Sequence, residues 1–69
     1  MDKPFYEKPC AIPGLISYRY RSSFGWVMIG ATDHHDAMQQ VARSINGAAH
    51  ANLLQVWDWD AGKYVDACA

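Results

Sequence analysis

Residues 16–45 read ISYRYR (16–21), SSFG (22–25), WVMIGA (26–31), TDHHD (32–36) and AMQQVARSI (37–45), and the hydrophobic period changes along them from two to 3.6. Ile16, Tyr18 and Tyr20 alternate with Ser17, Arg19 and Arg21, the signature of a half-buried strand. Ser22-Ser23-Phe24-Gly25 carries turn chemistry, with a glycine free to take positive φ. Trp26–Ala31 is apolar at both parities, which predicts a second strand in the centre of a sheet. Thr32 then reads as a helix N-cap, with Asp33 and Asp36 placing negative charge at the positive end of the helix dipole. Ala37, Met38, Val41, Ala42 and Ile45 form a stripe at helical spacing, and Asn46-Gly47 is a left-handed stop. A helix is predicted over residues 33–45, with Val41 and Ile45 buried beneath it.

Outward from this block the signals are shorter. Residues 1–14 hold Pro4, Pro9, Pro13 and Gly14 with no periodicity, and read as an extended N-terminal lead-in to a single domain over 15–69. Leu53–Trp59 predicts a third strand, with Leu54 and Val56 on one face and Leu53, Gln55, Trp57 and Trp59 on the other. Asp60-Ala61-Gly62-Lys63 has hairpin-turn composition, and Tyr64–Ala67 returns as a fourth strand. The order β-β-α-β-β is an α+β fold in two layers: an antiparallel sheet of about four strands with one helix on one face.

Composition bounds what such a chain does. Of 69 residues, 51% are hydrophobic and 19% charged, enough apolar surface for collapse and too much for a disordered polar chain. A domain this small buries only about 60% of its unfolded surface, so its aromatic residues are structural first. The net charge is −1, with +2 over residues 1–24 and −3 over 25–69, which excludes a basic footprint over the whole domain. No apolar leader or membrane-length run is seen, and a soluble cytoplasmic protein without a membrane contact is expected. Cys10 and Cys68 are read as free thiols in that compartment; paired instead, they would close a long loop worth about 4 kcal/mol.

Chemistry-bearing patterns are sparse. His34 and His35 are neighbours and diverge by about 100° on a helix, without the i,i+4 spacing of a zinc site, so no metal is expected. No nucleophile elbow or glycine-rich phosphate loop is present, and neither catalysis nor a cofactor is expected. What stands out is Tyr18-Arg19-Tyr20-Arg21 together with Gln55-Val56-Trp57-Asp58-Trp59. The helix takes the aliphatic set of each strand, Ile16 in one and Leu54 and Val56 in the other. Arg19, Arg21, Trp57 and Trp59 are then left on the open face of the sheet. Aromatics beside arginines suit a protein hot spot, or bases and phosphates of a single strand. They also suit intramolecular cover by residues 4–12, with the arginines lying over the rings. Asp58 and Asp60 beside the tryptophans weigh against nucleic acid. The reading is a small non-enzymatic binding protein for another protein or for its own copy; the alternative is a single-stranded nucleic-acid-binding module.

The stretch YRYRSSFGWVMIGATDHHDAMQQVARS (Tyr18–Ser44), with LQVWD (Leu54–Asp58) and Tyr64-Val65 after it, resembles small uncharacterised proteins of proteobacterial phages and integrative elements. The resemblance implies a mobile-element setting and carries no assigned activity or site residue. A weaker similarity, in the hairpin leading through a Thr/Asp cap into an alanine-bearing helix, is to the partial ribonuclease-H-like antitoxins of the HicB type.

Overall fold

A computed structural model describes residues 4–67. Strand β1 (Ile16–Ser22) turns directly into β2 (Gly25–Ala31), helix α1 follows (His34–Ile45), and β3 (Leu54–Asp58) and β4 (Lys63–Asp66) complete the chain, with short 3-10 turns at Phe5–Glu7 and Ala51–Leu53. All pairings are antiparallel and the sheet order is β2-β1-β3-β4. This is the expected α+β arrangement of one helix on a four-stranded sheet.

The β1–β2 hairpin closes on the pair Ser22 and Gly25. The Ser22 hydroxyl donates to the Gly25 carbonyl and accepts from the Phe24 N–H. Gly25 has φ 127°, a conformation that side chains rarely adopt, so the glycine is needed for the turn. At the second hairpin the Asp58 carboxylate accepts from the N–H groups of Asp60 and Ala61, and Gly62 (φ 67°) donates back to the Asp58 carbonyl.

Helix α1 starts one residue later than expected. Asp33, in extended backbone, is the N-cap in place of Thr32: its carboxylate accepts from the Asp36 N–H at 2.8 Å. Thr32 serves the same end from outside, donating its N–H (3.1 Å) and hydroxyl (3.4 Å) to the Asp36 carboxylate. The Thr32 N–H, then the Gln40 amide and the Thr32 hydroxyl, hold the Asp36 carboxyl below its ordinary range, with Arg43 adding to the effect. The far end stops at Asn46 in the left-handed region, as the Asn-Gly pair predicts.

The helix lies over β2 more than over the middle of the sheet. Between the layers are Tyr18, Tyr20, Ile29, Ala31, Ala37, Val41 and Leu54, all buried, with Ile45 and Val56 half-buried against them. Full burial of a side chain such as Leu54 or Val41 contributes about 1.5–3 kcal/mol. Tyr20 keeps its polar tip satisfied by accepting the His50 N–H at 2.9 Å.

Three expectations need correction. Strand β2 is an edge strand, not a central one. It is apolar at both parities because both its faces are covered, by the helix on one side and by the N-terminal segment on the other. Leu53 falls in the 3-10 turn and packs against the core, since alternation begins only at Leu54. Ile16 pairs with Ala31 on the helix side, but at the end of its strand, and stays 41% exposed.

Candidate functional site

The candidate site is the sheet face turned away from the helix. Register assigns its residues: Arg19 pairs with Met28 and Gln55, Arg21 with Trp26, and Trp57 with Tyr64. Alternate residues share a face, so Arg19, Arg21 and Trp57 stand together there. Trp59 lies just past the end of β3, in the turn to β4. It meets Trp57 edge to face at 5.9 Å, and Trp57 meets Tyr64 in the same way at 5.1 Å. The three rings make a ladder from the buried Tyr64, through half-buried Trp57, to Trp59, which is 76% exposed.

Trp57 carries a further feature. Its indole Nε1 is fully buried and has no hydrogen-bond acceptor. A buried donor left unpaired costs about 1–3 kcal/mol.

The two arginines have separate fates. Arg19 is held from four directions: its Nε donates to the Gln55 side-chain oxygen at 2.7 Å and its Nη1 to the Tyr6 carbonyl at 2.6 Å. Its guanidinium lies over Trp26 (4.0 Å) and over Tyr64 (4.6 Å). Arg21 is exposed and makes one looser ring contact, with Trp26 at 5.6 Å.

The N-terminal segment crosses this face. Tyr6 stacks on Trp26, with centroids 6.3 Å apart and planes within 16°. The Tyr64 hydroxyl donates to the Lys8 carbonyl at 2.8 Å. Burial, and the Cys10 thiol beside it, push that hydroxyl well above its ordinary pKa, so it remains a donor throughout the neutral range. Ser17, buried, accepts from the N–H groups of Cys10 (3.1 Å) and Ala11 (2.9 Å). The middle of the open face is therefore occupied from within, while Trp59 at the end of the ring ladder is left to solvent. A pocket of about 220 Å³ lies at the segment's border, lined by Glu7, Arg19, Gly62, Lys63 and Tyr64.

Sequence reasoning missed Trp26 and Tyr64 as members of this face, and the alternation that sets Ser17 with Arg19 and Arg21 gave it no role there. Trp26 was accessible, because alternation in β2 places it opposite the parity of Val27 and Ile29. Tyr64 depends on the register of β4, which no local pattern specifies. Cys10 is a free, exposed thiol, whereas its suggested pairing with Cys68 lies outside the described residues. Among the described residues no cluster of His, Cys, Asp and Glu is able to hold a metal, and no helix is long and apolar enough to cross a membrane. No family model, curated protein or solved structure matches the chain.

Proposed function

We propose that this chain is a small non-enzymatic interaction protein that binds another protein through Trp59 and Trp57 at the tip of the β3–β4 hairpin. The observation that carries this reading is the pairing of an exposed tryptophan with a buried, unpaired indole N–H next to it. Tryptophan is among the residues enriched at binding hot spots, and an edge-to-face ladder backed by Tyr64 presents Trp59 with little left to order on binding. A partner carbonyl reaching Trp57 as Trp59 shifts would supply the missing acceptor.

Single-stranded nucleic acid is the weaker reading. Arg19 is spent on the chain's own Tyr6 carbonyl and Gln55, which leaves Arg21 and, beside Glu7 at the pocket, Lys63 as cations there. Asp60 stands next to Trp59, where a phosphate would have to come. A bacterial host cytoplasm and a phage or integrative element are the setting we propose, on the resemblance above.

The test is capture from bacterial extract by immobilised wild-type protein, Trp59→Ala and Phe24→Ala. Phe24 is 72% exposed at the β1–β2 turn and serves as an exposed aromatic control. One stoichiometric protein held by wild type and Phe24→Ala, and lost with Trp59→Ala, is the expected result. Equal capture by all three overturns the assignment. Micromolar binding of mixed single-stranded oligonucleotides that weakens steeply with salt replaces it by the nucleic-acid reading.

A further inference from the structure

The segment lying on the open face is seated as a ligand is seated. Between residues 4 and 15 no side chain is buried, and Phe5 and Ile12 are 69% and 68% exposed. What holds it is recognition of its main chain. Arg19 takes the Tyr6 carbonyl, Tyr64 takes the Lys8 carbonyl, and Ser17 takes the N–H groups of Cys10 and Ala11. Pro9 sits between these two sets, half-buried, with φ fixed and no N–H in need of an acceptor. Two side chains add to this: the Tyr6 ring on Trp26, and the Cys10 thiol, which donates to the Ile29 carbonyl at 3.4 Å and the Tyr18 carbonyl at 3.8 Å.

The surface beneath is shaped for such a segment. Gly30 on β2 leaves room for the segment: a Cβ there would lie 3.1 Å from the Ala11 Cβ and 3.5 Å from its Cα. The groups that would be uncovered, the Ser17 and Tyr64 hydroxyls and the Arg19 guanidinium, are ones that water solvates well. A segment with few buried contacts, held by main-chain hydrogen bonds that water can replace, opens locally long before the domain unfolds.

We propose that this face is a peptide-binding groove for a segment bearing an aromatic residue in a 3-10 turn and a proline three residues later, and that residues 5–11 are its built-in, exchangeable occupant. Aromatic-lined surfaces that take proline-containing strands through their carbonyls are a recurrent mode of recognition. The seated segment defines the chemistry: an aromatic ring for Trp26, two carbonyls for Arg19 and Tyr64, and two successive N–H groups for Ser17. The groove stands apart from the Trp57–Trp59 tip, and the outcome of Trp59→Ala does not bear on it.

The test uses the full chain and a labelled synthetic peptide of residues 4–13, kept reduced, followed by anisotropy. In wild type the tethered segment competes at an effective concentration on the order of millimolar, so the peptide binds weakly. The double variant Tyr6→Ala, Pro9→Gly weakens the tethered segment and leaves the groove intact. It should bind the peptide about tenfold or more tightly than wild type does. Adding Gly30→Val, which fills the seat of Ala11, should abolish that binding. Equal affinity for wild type and the double variant, or undiminished binding with Gly30→Val, overturns the proposal. Should the double variant fail to fold by circular dichroism, hydrogen exchange on wild type decides. The Cys10 and Ala11 amides are expected to exchange at least about tenfold faster than those of Ile29 and Val56 and without denaturant dependence. Exchange of all four only through global unfolding overturns it.

Discussion

Replacing Arg19 by lysine keeps the charge and removes the planar fork, and the cost can be worked from the contacts. The guanidinium makes two charged hydrogen bonds, to Gln55 at 2.7 Å and to the Tyr6 carbonyl at 2.6 Å, and lies between two rings at 4.0 and 4.6 Å. Hydrogen bonds to a charged group contribute about 1.5–3 kcal/mol each, and a cation over a ring about 0.5–1 kcal/mol where water has access. A lysine ammonium is unable to lie flat between Trp26 and Tyr64 while reaching both acceptors. Loss of one hydrogen bond and part of the ring contact gives about 2–3 kcal/mol. The Tyr6 bond adds little if lost, because the segment can lift and let water take its place. At roughly 0.05–0.15 kcal/mol per residue the whole domain has about 3–10 kcal/mol, so the change removes a large share. The expected fall in Tm is about 10–20 °C by circular dichroism, with a matching fall in the urea midpoint by tryptophan fluorescence. Arg21→Lys, with one ring at 5.6 Å, serves as control and should change stability by less than about 0.5 kcal/mol. A drop of under about 3 °C for Arg19→Lys would refute the reasoning, by showing that the contacts do no more than offset the cost of holding the side chain.

Three other outcomes follow from the same geometry. Val41→Asp places an unpaired carboxylate where no solvent reaches and should leave the chain unfolded at 25 °C, read as loss of far-ultraviolet ellipticity; a cooperative unfolding transition near that of wild type would contradict the core. Leu54→Ala should cost about 2–5 kcal/mol in urea unfolding, against no more than about 0.5 for Trp59→Ala, and a reversal of that order would mean the third strand faces the other way. The Asp36 carboxyl titrates below its ordinary value of 3.8 in the folded state, so its contribution is full above that value and is lost as pH falls through the depressed one. Urea midpoints measured from pH 7 to pH 2 should therefore fall less steeply for Asp36→Asn than for wild type at the acid end, and parallel curves would remove Asp36 from the helix start.

Local pattern carried the elements because each has its own period or stop. The Ile16–Arg21 alternation, the Ala37–Ile45 stripe and the Asn46-Gly47 stop are properties of neighbouring residues, and they specify a strand and a helix with its end without reference to the rest. Pleat parity carried one step further: it placed Arg19, Arg21 and Trp57 on one face before any pairing was known, since a strand has only two faces and the helix takes the aliphatic one. Local pattern stopped at everything that depends on which element lies beside which. An apolar strand reads the same whether strands flank it or layers cover it, so Trp26–Ala31 was misjudged as central. Thr32 and Asp33 both make good caps, and only the path of the chain into the helix chose Asp33. Residues 4–12 have no period at all, because they are held through main-chain carbonyls and N–H groups that every sequence possesses. That Arg19 would be used to hold them, and Trp59 left in solvent, was decided only when the tertiary fold laid that segment across the sheet.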